Sequence, residues 1–277
     1  MHILAVLLVA LVLLLVPGTA LAAPGDPWVA YVANSVVTKQ SAPAPVILRA
    51  DPATGALTEI SRNGAQGELF RHPYDIAVAG DGSLLVADMG EYATPSDRTP
   101  DGRIVRVDPV TGRQSLLTQG NLLVDPAGLA IAPDGLVYVV ENVGTTGQPG
   151  VVSVNPATGE QTLVTQGGQL CYPFGIAVHP NGSVLVTSFG SFNDGTTVVN
   201  CTHDFGALVR VNPVTNAQTI LSRNAAQWGI LFRNPLGVTV EPGGRILVVN
   251  QNGATAVMSV DPVTGVQDAE TPNTGSD

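Results

Sequence analysis

The chain has 277 residues, of which 44% are hydrophobic, and carries 22 acidic against 12 basic side chains, for a formal net charge of −10. A nucleic-acid partner would require Lys and Arg clustered against the phosphate backbone, so this composition argues against one. The 31 glycines and 21 prolines are spread along the chain, which is typical of an ordered protein rich in turns.

Residues 1–23 are predicted to be a signal peptide. Residues 3–16 are an unbroken apolar run, followed by small residues at Ala20, Ala22 and Ala23, as in a secretory leader with its cleavage site. The run is shorter than the roughly 20 residues that span a bilayer. We expect cleavage after Ala22 or Ala23, secretion to an extracellular or periplasmic location, and no membrane span after cleavage. An uncleaved anchor is the alternative, because no Lys or Arg precedes the run.

A turn of the form Asp/Asn-Pro-x-Thr-Gly/Asn recurs five times, beginning at Asp51, Asp108, Asn155, Asn212 and Asp261. The first side chain can hydrogen-bond to the backbone ahead of it, and proline presets the following φ. The last position requires a positive φ, which glycine adopts freely and asparagine tolerates. Asn216 is the single non-glycine residue there. A motif that returns about every fifty residues marks a structural repeat.

Each repeat carries signals for four strands. An alternating strand such as 105–107 precedes the turn and a short outer strand follows it. A short inner strand such as 176–178 and an apolar strand such as 184–186 are separated by a hairpin with Asn-Gly or Asp-Gly. Four antiparallel strands in tandem repeats predict an all-β fold, a β-propeller of four-stranded blades. A parallel β-helix is the alternative.

The repeats define one expected domain over residues 24–270, followed by a disordered tail at 271–277. Four complete blades lie in residues 73–270. Upstream, residues 28–33, 46–50 and 57–60 supply three strands of another blade, whose inner strand is missing. We therefore expect five blade units, one of them three-stranded, and keep a truncated six-bladed ring as the alternative.

Two segments carry a resemblance to known propellers: Pro-Phe-Gly-Ile-Ala-Val at 173–178 before Asn181-Gly182, and Asp81-Gly82 before Leu-Leu-Val-Ala-Asp at 84–88. They resemble the repeats of NHL-repeat proteins and of gluconolactonase/regucalcin-like and streptogramin-lyase-like propellers, over nearly all of residues 24–277. The gluconolactonase-like resemblance implies a divalent metal held in a central channel. The matching positions here are Tyr74, Ala127, Phe174 and Leu236, so this chain departs from that ligand pattern.

The acids left for a metal site are Asp75, Asp88 and Glu141. Calcium, which takes oxygen ligands, is the possible ion. With it, these residues would support a metal-dependent lactonase or hydrolase of the gluconolactonase-like type. A lyase that uses His72 is a further alternative.

Binding usually occurs at long connections on one face of a rigid scaffold. We therefore predict that the face of the propeller that carries its long loops binds the ligand. Its candidate residues are the strand-end set Asn34, Asp88, Glu141, Ser188 and Asn250, together with Arg71, His72 and Arg233. The strand-end set could offer oxygens to a cation or to sugar hydroxyls, or it could be polar for turn reasons alone. The arginines could clasp a carboxylate, or they could pair with nearby acids while Phe70 and Phe232 plug between blades.

Cys171 and Cys201 are the two cysteines of the chain. An even pair in an oxidising compartment predicts a disulfide. Two buried thiols, or a metal role together with His203, are the alternatives. The function that these observations favour is a secreted binding or interaction scaffold for a small molecule, a carbohydrate or a protein. Whether the chain is also an enzyme stays open at this stage.

Overall fold

The structure is a computed structural model that describes residues 16–17, 28–34, 45–51, 54–90, 100–190, 206–251 and 255–272. All regular secondary structure in these ranges is β-strand. The same ranges contain no helix that is long and apolar enough to cross a membrane. The chain divides into two compact units, residues 1–126 and 127–277.

The first unit contains two four-stranded antiparallel sheets. The first sheet comprises β1 (Val16–Pro17), β2 (Trp28–Asn34), β3 (Val46–Ala50) and β4 (Leu57–Arg62). The second comprises β5 (Pro73–Val78), β6 (Leu84–Asp88), β7 (Arg103–Val107) and β8 (Gln114–Gln119). Each strand pairs with the next in sequence, which is the order of a propeller blade.

Three more sheets of the same order belong to the second unit, apart from Pro126, which opens the first of them. The third sheet comprises β9 (Pro126–Ile131), β10 (Val137–Glu141), β11 (Gly150–Val154) and β12 (Gln161–Gln166). The fourth comprises β13 (Pro173–Val178), β14 (Val184–Ser188), β15 (Ala207–Val211) and β16 (Gln218–Arg223). The fifth comprises β17 (Pro235–Val240), β18 (Ile246–Asn250), β19 (Thr255–Val260) and β20 (Gln267–Pro272).

Two details at the chain ends differ from the sequence-based expectation. The first blade has a fourth strand, because Val16 pairs with Val29 and Pro17 with Trp28. Sequence patterning missed it because Val16 ends the apolar run and Pro17 follows it, so both residues lie within the predicted leader. At the other end, β20 continues to Pro272, two residues into the segment expected to be tail; residues 273–277 lie outside the described ranges.

The recurrent turn between the third and fourth strands has the predicted geometry. Asp108 Oδ1 accepts hydrogen bonds from the N–H groups of Val110 (2.8 Å) and Thr111 (3.1 Å). The last position has a φ of 73° at Gly112 and 62° at Asn216. Asparagine therefore occupies the left-handed conformation where the other turns have glycine, as expected for the residue that tolerates it best.

Neighbouring blades pack face to face through alternate residues of their strands. In the first unit, Tyr31, Ala33 and Ile47 of the first blade share a core with residues of the second, namely Ile76, Leu84, Val86, Val105 and Val107. In the second unit, Leu185 and Leu208 of the fourth blade pack against Ile246, Val248, Met258 and Val260 of the fifth. Phe70 and Phe232 are buried in these two cores, which confirms the prediction that they plug between blades.

Inner strands approach each other so closely that glycine is required. A Cβ added to Gly175 would lie 2.6 Å from the carbonyl oxygen of Leu236 in the next blade, and one added to Gly128 would lie 2.2 Å from that of Phe174. The corresponding Cβ at Gly237 would meet nothing nearer than Val249 of its own blade, at 3.7 Å. Val249, beside Gly237 in the fifth blade, is 46% exposed, whereas its equivalent Val140 in the third blade is fully buried.

A glutamine at the start of the outer strand ties each of several blades to the preceding one. The side chain of Gln114 donates to Ser61 Oγ (3.1 Å) and to the carbonyl of Arg62 (3.0 Å), and it accepts from the N–H of Leu69 (2.9 Å). Gln267 makes the same three contacts with Ser222, Arg223 and Leu231, and Gln218 pairs with Thr165. In the first unit, this glutamine holds the loop that leads to Arg71 and His72.

Candidate functional site

Three of the strand-end residues predicted for the ligand face, Asp88, Ser188 and Asn250, are turned toward the chain's own backbone. Asp88 and Ser188 are fully buried and Asn250 nearly so. Each accepts a hydrogen bond from an N–H seventeen residues earlier: Arg71 to Asp88 Oδ2 (2.7 Å), Cys171 to Ser188 Oγ (2.7 Å) and Arg233 to Asn250 Oδ1 (3.1 Å). Glu141 is buried as well, and the side chain of Asn34 lies outside the described residues. This geometry favours the structural interpretation of the set.

Asp88 organises the turn that carries His72. Its Oδ1 accepts the N–H of Gly90 (2.9 Å), and the Arg103 Nε lies 4.0 Å from the same oxygen. Burial raises the pKa of Asp88 above its ordinary value, while the hydrogen bonds from the backbone oppose that rise. The carboxylate therefore acts as an internal anchor for the segments on both sides of it.

His72 is held in a defined orientation by the same turn. Its Nδ1 lies 2.7 Å from the carbonyl oxygen of Gly90, and its own carbonyl accepts the N–H of Met89 at 3.0 Å. A carbonyl only accepts hydrogen bonds, so Nδ1 carries a proton in this contact. Asp88, through Gly90, thus fixes the tautomer of His72.

Asp125 is an acidic residue near His72 that the sequence analysis did not select. Burial raises the pKa of its carboxyl to about 6; the charge of His72 opposes this rise and the charge of Asp101 adds to it. His72 and Asp125 hold the same position in successive repeats, since each immediately precedes the proline that opens an inner strand. That His-Pro and Asp-Pro correspondence was the signal that could have revealed Asp125.

Tyr74 joins this group from the inner strand β5. Burial raises the pKa of its phenol, and the charges of Asp125 and Asp75 raise it further. Asp75 itself accepts the N–H of Ile76 at Oδ1 (2.8 Å). We call His72, Tyr74, Asp75, Asp101 and Asp125 the inner-strand cluster; of these, the sequence analysis proposed His72 and Asp75 and missed the other three.

The predicted calcium ligands Asp75, Asp88 and Glu141 stay a prediction. Across the described ranges, no group of three or more His, Cys, Asp or Glu side chains could hold a metal ion. The proposed ligand Asp88 directs both oxygens to backbone N–H groups. Backbone N–H groups therefore already occupy both oxygens that Asp88 would offer to calcium.

The predicted arginines differ in what the structure shows. The guanidinium of Arg71 donates to the carbonyls of Glu68 (2.9 Å) and Phe70 (3.1 Å), and Arg62 pairs with Glu59. The backbone N–H of Arg233 donates to Asn250. Asn63 brackets Phe70 through both backbone groups, as Asn224 does Phe232. The loop is built around the aromatic residue, and a ligand role for Arg71 and Arg233 stays a prediction.

Cys171 is buried, next to the end of β14. Its predicted partner, Cys201, and the nearby His203 lie outside the described residues. The disulfide therefore stays a prediction.

Comparison with known proteins gives a fold and no sequence family. No family model matches the chain, and no curated protein matches it significantly. Solved structures do match. A chain of a nidogen/laminin complex is similar over 80% of this chain and 70% of its own, with a TM-score of 0.55 at 17% identity. A gluconolactonase from Xanthomonas campestris is similar over 83% and 70%, with a TM-score of 0.54 at 16% identity.

TolB from Acinetobacter baumannii matches 88% of this chain, with a TM-score of 0.57 at 18% identity, and the match spans 52% of the TolB chain. The chain has the β-propeller fold. These neighbours confirm the predicted β-propeller fold. At these identities, they assign no activity to this propeller.

Proposed function

We propose that this propeller is a secreted binding scaffold that takes a polar ligand at the end of the second blade where β5 begins. The inner-strand cluster carries the proposal. Pro73 pairs with Asp88 and Asp88 with Arg103, so the segment between β6 and β7 leaves and re-enters at the end of the blade that holds His72 and Tyr74. An imidazole, a phenol and carboxyl groups beside a long connection offer both hydrogen-bond donors and acceptors.

The chemistry of the cluster favours a ligand rich in hydroxyl groups, such as a carbohydrate. Carboxylates accept hydrogen bonds from hydroxyls, while the phenol of Tyr74 and a protonated Asp125 donate them. The matched propellers give this proposal a general precedent only, since one comes from a complex of two proteins and another is named a gluconolactonase.

A hydrolase or lactonase is the second candidate, and a specific observation favours it. Asp125 has a pKa of about 6 and lies within the electrostatic reach of His72. General acids and bases are most effective when their pKa lies near the working pH. In that role Asp125 would hold or release a proton and His72 would accept one at Nε2. A lyase would use the same His72.

Secretion and the disulfide complete the proposal. The apolar run at residues 3–16 supports export through a cleaved leader, and export would place Cys171 and Cys201 where disulfides form. The intact mass of the exported protein, measured before and after reduction and alkylation, tests both the cleavage of the leader and the disulfide. A mass that includes residues 1–22 would contradict cleavage, and alkylation of both cysteines without reduction would contradict the disulfide.

The binding proposal is tested on an array of immobilised oligosaccharides with the exported protein. We expect Asp125→Asn to weaken binding to the recognised sugar at least tenfold, and the exposed control Asp268→Asn to leave it unchanged. Equal effects of the two variants on sugar binding, or undiminished binding by Asp125→Asn, would contradict the proposed binding site. Turnover of a δ-lactone that Asp125→Asn abolishes and Asp268→Asn retains would favour the hydrolase instead.

A further inference from the structure

The inner strand of the first blade is much shorter than its counterparts. β1 has two residues, whereas β5, β9, β13 and β17 have six each. In the fourth blade the pairing of inner and second strands runs from Pro173 opposite Ser188 to Val178 opposite Val184. In the first blade it stops after Val16 opposite Val29 and Pro17 opposite Trp28.

Most of β2 consequently has a strand on one side only. Residues 30–34 pair with β3 throughout, from Ala30 opposite Ala50 to Asn34 opposite Val46. On the other side, no strand among the described residues pairs with these five. The edge of a sheet presents N–H and C=O groups that can pair with another chain, and a strand that adds to such an edge gains main-chain hydrogen bonds.

This edge is already held in the geometry that an incoming strand needs. Tyr31 and Ala33 are buried in the core that the first blade shares with the second. β2 is therefore fixed by β3 and by that core, so an added strand would not have to order it. A preorganised edge lowers the cost of binding.

The leader is the segment that occupies part of this edge. Val16 and Pro17 belong to the residues 1–23 predicted to be removed, and their pairing with β2 shows that the edge accepts an antiparallel strand. Cleavage after Ala22 or Ala23 would take β1 away with the leader. All seven residues of β2 would then lack an inner neighbour among the residues that the structure describes.

We propose that β2 of the processed protein binds an extended apolar segment of a partner protein, which adds antiparallel to it as the inner strand of the first blade. The inference rests on the proposed removal of the leader and is otherwise separate from the inner-strand cluster. The chain's own inner strands indicate the sequence that would fit. Those at 73–78 and 173–178 begin with proline and have Ile-Ala-Val at their last three positions.

The probe is a fluorescent peptide with the sequence of residues 173–178, Pro-Phe-Gly-Ile-Ala-Val, extended by lysines for solubility. We expect the exported, processed chain to bind it at least tenfold more tightly than the full-length chain, in which β1 is present. A peptide methylated on alternate backbone amides is the matched control, because it keeps the side chains and loses donors for the sheet. Hydrogen exchange should show new protection within residues 30–34 on addition of the peptide.

Four results would overturn the proposal. They are an exported chain whose mass still includes the leader, equal affinity of the two forms, unchanged binding of the methylated peptide, and a processed chain that dimerises through β2 in place of taking the peptide. The first removes the premise, and the last assigns the edge to a second copy. None of them depends on Asp125 or on the sugar array, so failure here and failure of the proposed function are distinguishable.

Discussion

Replacing Gln114 with alanine should destabilise the first unit measurably. The substitution removes three hydrogen bonds that the side chain makes with Ser61, Arg62 and Leu69, and Gln114 itself is only 7% exposed. A hydrogen bond of this kind contributes about 1 kcal/mol net, more where the partner left behind is buried. The expected loss is therefore about 3 kcal/mol in the free energy of unfolding, or roughly 6–12 °C in Tm for a chain of this size.

The matched control is Gln119→Ala, because Gln119 ends the same strand, β8, with its side chain exposed. Urea unfolding of the wild type and both variants gives the free energies. Hydrogen exchange locates the effect, since the amide of Leu69 should exchange faster in Gln114→Ala alone. If both variants lose equally little, or if the Leu69 amide keeps its protection, the glutamine does not hold the loop and the reasoning fails.

Three further predictions concern burial, close approach and pH. Val140→Asp should abolish folding, judged by circular dichroism, whereas Val249→Asp at the equivalent exposed position should leave Tm within a few degrees. Similar losses in the two variants would contradict the difference in burial between the two valines. Gly175→Ala should lower the free energy of unfolding by about 1–3 kcal/mol through overpacking, because its methyl group would lie 2.6 Å from a backbone oxygen. Gly237→Ala should cost much less, because its methyl group would lie 3.7 Å from the nearest side chain. Equal urea midpoints of the two variants would refute this prediction. Asp125→Asn should raise the free energy of unfolding above pH 6, and this advantage over the wild type should fade toward pH 4. The reason is that the fold disfavours the ionised carboxyl, so the wild type loses stability as pH rises through the raised pKa of Asp125. A difference between the two proteins that does not change with pH would contradict this prediction.

Local chemistry made the turns and blades predictable. Asp108 and Asn216 are examples, because the hydrogen bonds of the first and the positive φ of the second are properties of a single turn. Phe70 was predictable because a large aromatic side chain in a loop gains free energy from burial in a neighbouring core.

The inner-strand cluster was only partly predictable, because it is assembled from different repeats. Asp101 and Asp125 interact near His72 although they follow it by more than a strand and a loop in sequence. At Asp88 the sequence left two interpretations open, a ligand oxygen and a turn residue. The N–H groups of Arg71, before the strand, and Gly90, after it, both donate to its carboxylate, and strand periodicity carries no information about those contacts.

The glutamine contact also bears on how such a chain can grow. Four outer strands, β8, β12, β16 and β20, begin with glutamine and have Ser or Thr at their fifth position. In β16 one strand supplies both halves of the contact: Gln218 donates to Thr165 of the blade before it, and Ser222 accepts from Gln267 of the blade after it. A duplicated repeat would meet compatible neighbours on both sides without any further mutation. The first blade is the exception, because its outer strand begins with Leu57; a copy of that blade inserted later in the chain would leave the preceding loop untied.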